Sequence, residues 1–160
     1  MRAYADSSFI LRLIVLEIGS PEAVAVYRRV GKPRLFFLPL HGLEVRNSIR
    51  QRAFHQRRSA VSGERQHVTR ERESAFGRLE HLIQQHSLLE VSADMDTITS
   101  RAMQLSAAHS ERIGSRAIDL LHVAAALVLE SELFLTTDGH QAELAKAEGL
   151  KVASVIEKVQ

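Results

Sequence analysis

Four acidic residues stand where a carboxylate can do more than solvate a surface: Asp6, Glu44, Asp119 and Asp138. Asp6 follows the apolar run Ala3-Tyr4-Ala5 and precedes a helical pattern starting near Ser8. Asp138 repeats that arrangement after Leu133-Phe134-Leu135-Thr136-Thr137. Both are expected at carboxyl ends of strands, where open α/β sheets gather ligands, and beside helix N-termini, which favour negative charge. Each could equally be an N-cap, a role aspartate often fills. Asp119 has less choice. Its segment, Ala117 to Leu129, is apolar on nearly every side, as in a buried helix. An unpaired carboxylate there is costly, so Arg116 three residues earlier, or a cation, must answer it. His122 reads as a hydrogen-bonded core histidine rather than a ligand. Glu44 opens the long helix after the second strand, on a polar stripe with Asn47, Ser48, Gln51 and His55 and apart from Val45, Ile49 and Ala53.

Brought into one crevice, these acids need neutralising. Two like charges about 4 Å apart repel by roughly 4 kcal/mol at an effective dielectric of 20. Oxygen ligands select hard cations such as Mg²⁺ or Mn²⁺. Zinc fits less well, because the histidines show no paired spacing such as H-E-x-x-H. The chain has no cysteine, which removes disulfides, thiolate metal sites and cysteine nucleophiles.

The elements that must position the acids alternate. Strands are expected at Ala3–Asp6, Leu35–Leu38, Leu88–Val91, Leu133–Thr136 and Val152–Val155. Helices are expected near 8–17, 22–30, 40–58, 64–86, 95–109, 115–130 and 139–148, with Gly149 as a left-handed cap and Ser62-Gly63 as a break. Such alternation predicts an α/β fold: a three-layer α/β/α sandwich around a mostly parallel sheet of about five strands, one domain over residues 1–160.

Net charge is +2, but residues 46–72 hold eight arginines against Glu64 and Glu71, a local +6 that leaves −4 elsewhere. A basic arm beside an acidic body suits a polyanionic partner; the alternative is a solvated helical face. Between residues 46 and 86 the aromatics are Phe54 and Phe76, so base stacking there should be limited. The apolar run Val123 to Leu129 is far short of the roughly 20 residues of a membrane span. Asp6 and Arg12 interrupt the apolar stretch near the start, so no secretory signal is expected. A soluble protein in a reducing cytoplasm is the expectation.

Four pieces, in order, resemble the PIN-domain nucleases, in particular the toxins of VapBC toxin–antitoxin pairs. They are Ala5-Asp6-Ser7-Ser8, Leu43-Glu44-Val45-Arg46-Asn47, the stretch from Arg116 to Ala126 around Asp119, and Thr136-Thr137-Asp138. The resemblance implies a fold of the same α/β/α kind and hydrolysis of RNA to a 5′-phosphate and a 3′-hydroxyl with Mg²⁺ or Mn²⁺. It makes Asp6 and Asp119 central ligands, with Glu44 and Asp138 completing the site directly or through water. Ser8, Asn47 and Thr137 resemble accessory positions, and Arg116 an orienter of Asp119. Arg46, Arg50, Arg57 and Arg58 would hold the RNA backbone. A cognate antitoxin and a homodimer are the partners implied. His140 departs from the arginine that relatives often carry there, and the segment around 55–75 is longer than in many of them.

Two other readings compete. A phosphoacceptor receiver-like domain would want paired acids at the first strand and a lysine near the last; here two serines follow Asp6, and Lys151 precedes the last strand. A PIN-like scaffold that binds RNA or protein without cutting would keep the fold and lose the chemistry.

Overall fold

Side chains alternate across strand β1 (Ala3–Ala5), with Ala3 and Ala5 in one core and Tyr4 in the other. Strand β4 (Leu133–Thr136) does the same, Leu133 and Leu135 on one face and Phe134 on the opposite one. Every second residue faces the same side of a strand, so a strand buried on both faces must be apolar throughout. That is why these runs read as continuous hydrophobic stretches. The computed structural model describes residues 1–61 and 63–155.

Five strands form the sheet: β1, β2 (Leu35–Phe37), β3 (Leu88–Glu90), β4 and β5 (Lys151–Ser154), in the order β3-β2-β1-β4-β5, all parallel. On one face lie α1 (Ser7–Ile14), α2 (Ser20–Arg29), α3 (Pro39–Ser59) and α4 (Arg65–Gln84). On the other lie α5 (Met95–Ile113), α6 (Ala117–Val128) and α7 (Gly139–Ala147). This is the α/β/α sandwich the sequence predicts. The chain winds outward from β1 to β3, then crosses to the far side of β1 for β4. The order reverses between β1 and β4, which opens a crevice at their carboxyl ends.

The expected helices are all present, with shifted ends. The first stops at Ile14 rather than 17: Val15 is extended, and the Arg78 side chain donates to the freed Ile14 carbonyl. The fifth continues past 109 to Ile113, where Gly114 takes a left-handed conformation at φ 72°. Gly149 ends α7 as expected, with φ 84° and its N–H on the Lys146 carbonyl. The third begins at Pro39, so Glu44 sits in its second turn rather than at its opening. Of the break expected at Ser62-Gly63, Ser62 lies outside the described residues. No described helix is long and apolar enough to cross a membrane.

The 21 residues of α3 extend about 31 Å, whereas strands of three or four residues extend about 10–13 Å. The far ends of α3 and α4 therefore overshoot the sheet and lie against each other.

Candidate active site

Three helix N-termini meet at the crevice, each carrying one of the acids. Asp6 caps α1: its Oδ1 accepts from Phe9 N at 2.6 Å and from Ser8 Oγ at 2.8 Å. Asp138 caps α7, accepting from Gln141 N at 3.0 Å. Asp119 is the third residue of α6 and accepts from the N–H of its N-cap residue, Arg116, at 3.0 Å. Capping and clustering are thus compatible. The positive ends of three helix dipoles offset the mutual repulsion of the carboxylates.

Thr136 ties two of these ends together. Its hydroxyl donates to Asp6 Oδ2 at 2.5 Å and accepts from Asp138 N at 2.9 Å. Asp6 N also continues the ladder to Leu135 O. Asp6 is buried, and burial pushes its pKa up; hydrogen bonds from Thr136, Phe9 and Ser8 and the charge of His122 counter this only in part.

Glu44 arrives from α3, which His41 bolts to the sheet. Leu38 N donates to His41 Nδ1 at 2.9 Å, so Nε2 carries the proton and donates to Ala5 O at 2.9 Å. Burial, helped by the nearby charge of His122, lowers the His41 pKa to about 3, so the ring stays neutral. Glu44 Oε2 accepts from Ser7 Oγ at 2.8 Å and from His122 Nε2 at 2.7 Å. Burial alone would raise the Glu44 pKa, but His122 and Ser7 outweigh it and the net direction is down.

Asp119, only 2% exposed, is answered from four directions. Arg116 gives N and Nε to Oδ2 and Nη2 to Oδ1, and Gln141 Nε2 donates to Oδ1 at 3.0 Å. Its two oxygens have about four lone-pair sites, and all are used. Hydrogen bonding and charge from Asp119 raise the Arg116 pKa further, and Arg116 Nη2 also lies 3.7 Å from Asp138 Oδ2.

All four acids line one open cleft of roughly 300 Å³, together with Ser7, Ser8, Arg12, Arg116, His122, Thr137 and Gln141. Among the described residues, no three acids or histidines stand close enough to hold a metal ion between them in this conformation. Ser8 and Thr137, expected as accessory residues, meet at 2.8 Å on the rim, where Arg12 also donates to Thr137. Asn47 is exposed on α3 and does not line the cleft; nor does the exposed His140. Arg46, Arg50, Arg57 and Arg58 also lie outside it, and Arg46 pairs with Glu80 at 3.2 Å.

Sequence reasoning missed His41, Thr136, Gln141 and Arg12. Thr136 and Gln141 flank Asp138 at two and three residues, a spacing that could have flagged them. His41 offers no such signal.

The family profile of the PIN domain matches residues 3–147. No characterised protein and no solved structure gives a significant match. The match starts with β1 and stops with the last residue of α7, so it takes in all four acids and four of the five strands. The chain belongs to the PIN-domain family, a family of nucleases in general.

Proposed function

We propose that this chain is a divalent-metal-dependent endoribonuclease, the toxin of a toxin–antitoxin pair, acting in the cytoplasm as a single domain over residues 1–160. The observation that carries this reading is the convergence of Asp6, Glu44, Asp119 and Asp138 on one cleft at the point where the strand order reverses. The donor set fits Mg²⁺ or Mn²⁺, since every candidate ligand is an oxygen. Asp6 and Asp119 would hold the ion centrally, with Glu44 and Asp138 completing its shell directly or through water. Gln141 Oε1, buried without a hydrogen-bond partner, is one more oxygen in the same cleft. When bound, the cation lowers the pKa of its water and stabilises negative charge on the phosphate.

The chain's own residues have separate tasks. Arg116 is 70% exposed, so its guanidinium can leave Asp119 and turn to a phosphate as a cation takes its place. The three helix N-termini and Arg12 favour an anion over the cleft. Ser7 and His122 hold Glu44 in place. Water adds to phosphorus, the bond from phosphorus to the 3′-oxygen breaks, and the products are a 5′-phosphate and a 3′-hydroxyl. A cognate antitoxin would block the cleft with a basic side chain where Arg116 now lies, and the active form would be a homodimer.

A second reading, an inactive PIN-like scaffold, is favoured by one observation: Asp119 is saturated by protein donors and no ligand cluster is preassembled. RNA cleavage by wild type and Asp119→Asn, with thermal melts in Mn²⁺ and in EDTA, separates the two. The nuclease reading expects metal-dependent cutting, its loss in the variant, and a wild-type melt that rises with metal. Equal cutting by both proteins, or melting indifferent to Mg²⁺ and Mn²⁺, would sink it. Co-purification with the product of the adjacent gene tests the antitoxin.

A further inference from the structure

Five arginines surround one basin on the overshooting part of the α3–α4 hairpin, and we infer that it anchors the phosphates of single-stranded nucleic acid. Arg50, Arg57 and Arg58 come from α3, Arg65 and Arg72 from α4, with Phe54 among them; the basin has a volume of roughly 470 Å³ and, among the described residues, no acid lines it. The inference deepens the nuclease reading and rests on it for the bound strand being a substrate.

The missing counter-charge is the central observation. Elsewhere the chain sets glutamates against arginines: Arg46 meets Glu80, Arg52 meets Glu17, Arg101 meets Glu148 and Arg112 meets Glu143. Around the basin, among the described residues, Arg50, Arg57, Arg58 and Arg65 have no carboxylate partner, and Arg72 has only its neighbour Glu73 at 3.7 Å. The other acids of α4 are engaged elsewhere, Glu71 with His67 and Gln56, Glu80 with Arg46. Five like charges on two facing helices repel one another, and an anion between them removes that repulsion.

The chemistry of the lining selects phosphate. There is no lysine between residues 39 and 84, so all the positive charge is planar guanidinium, which forks onto phosphate oxygens. Three arginines are already held in place: Arg50 lies 5.0 Å from the Phe76 ring centre, Arg58 lies 5.6 Å from that of Phe54, and Arg57 donates to Thr69 Oγ1 at 3.0 Å. Phe54 remains 54% exposed, a π-face on which an unpaired base can stack. Along α3, Arg50 to Arg58 lie about 9–21 Å beyond Glu44. A single strand of a few nucleotides can span from the acids to the far side of the basin.

The test measures binding of a fluorescent 12-nucleotide single-stranded RNA to the full chain in EDTA across a KCl series. Each phosphate contact in a single strand contributes about 0.7 to the salt slope, so Arg57→Gln/Arg65→Gln/Arg72→Gln should reduce it by about 2. That corresponds to affinity on the order of a hundredfold weaker at 0.1 M salt. The corresponding triple lysine variant should keep the slope, and Phe54→Ala should lose affinity at unchanged slope. Should the glutamine variant not fold, the lysine and Phe54→Ala variants still decide the matter. Wild-type Kd and slope in the glutamine variant would overturn the inference. So would poly-glutamate or duplex RNA binding as tightly as the single strand, with the same dependence on the arginines. RNA bound through the basin but uncut in Mn²⁺ would sink the nuclease reading and leave the basin standing; RNA cut in Mn²⁺ but bound equally by the glutamine variant would do the reverse.

Discussion

His122 Nε2 lies 2.7 Å from Glu44 Oε2, while His122 Nδ1 lies 2.9 Å from the Tyr4 hydroxyl. One imidazole thus connects strand β1, helix α6 and helix α3. Tyr4 is fully buried and stacked on Phe134, so its end of the connection cannot drift. Glu44 is part-exposed on a long side chain that would otherwise sample many rotamers. The buried histidine converts a mobile carboxylate into a fixed one.

Replacing His122 by Phe keeps a ring in the core but leaves the Tyr4 hydroxyl without its partner. An orphaned buried hydroxyl costs about 1–3 kcal/mol, or roughly 2–4 °C in Tm per kcal/mol. Tyr4→Phe in the same background should recover part of that loss, because removing both partners is milder than removing one. Urea melts of the two single variants and the double variant give the coupling, expected at about 1 kcal/mol or more. Strict additivity would mean that the Tyr4–His122 contact carries no energy.

A pH effect follows from His41. Burial depresses its pKa to about 3 from the ordinary 6.5, so the unfolded chain takes up a proton that the folded ring refuses. Stability must therefore fall as pH drops through that window, by about 1.4 kcal/mol per pH unit and about 5 kcal/mol in total. His41→Gln keeps an amide donor and acceptor but cannot take up that proton. Its stability between pH 6 and pH 4 should decline less steeply than wild type by about that slope. Parallel curves would show that His41 is not the group responsible.

Repulsion among the four acids suggests that neutralising Asp119 should relieve strain. The geometry argues the opposite. Arg116 supplies three of its four donors and Gln141 the fourth, so the carboxylate is matched rather than frustrated. An asparagine there turns an amide nitrogen toward those donors. Asp119→Asn should lower metal-free stability by about 1–3 kcal/mol in urea. A gain in stability would restore the repulsion argument.

How far the sequence revealed this site depends on the range of each signal. Asp6 and Asp138 are legible because each follows an apolar strand whose end places it, and Asp119 because it interrupts a helix that is apolar on nearly every side. The all-parallel sheet followed from the same alternation. His41 was not legible: its partner, the Ala5 carbonyl, is 36 residues away, and nothing local marks a helical histidine as a bolt. The arginines looked like one basic stripe, yet Arg46 turns to Glu80 while Arg65 and Arg72 join from the next helix. Helix packing decides that sorting, and local pattern does not contain it. The overrun of α5 to Ile113 escaped for the simpler reason that its stop, Gly114, lies beyond where the apolar period fades.

The last prediction concerns competition between a side chain and a cation for the same carboxylate. On the metal-nuclease reading, Arg116 occupies Asp119 through Nε at 2.9 Å and Nη2 at 3.0 Å, and a cation must displace it. Arg116→Gln removes the charge and the fork but leaves the backbone N–H of residue 116 in place to bond Asp119. Metal-free, the variant should melt below wild type, because a buried carboxylate has lost its counter-charge. With Mn²⁺ the order of response should reverse, since the ion no longer has to evict a guanidinium. Stabilisation by a ligand grows as RT ln(1 + [L]/Kd), so a tenfold tighter Kd adds about 1.4 kcal/mol at saturating metal. The variant's Mn²⁺-induced rise in Tm should therefore exceed that of wild type by about 3–6 °C. Thermal melts of both proteins in EDTA and across a Mn²⁺ series measure this directly. If the two rises are equal, Arg116 does not compete with the metal, and Asp119 is not where the cation binds.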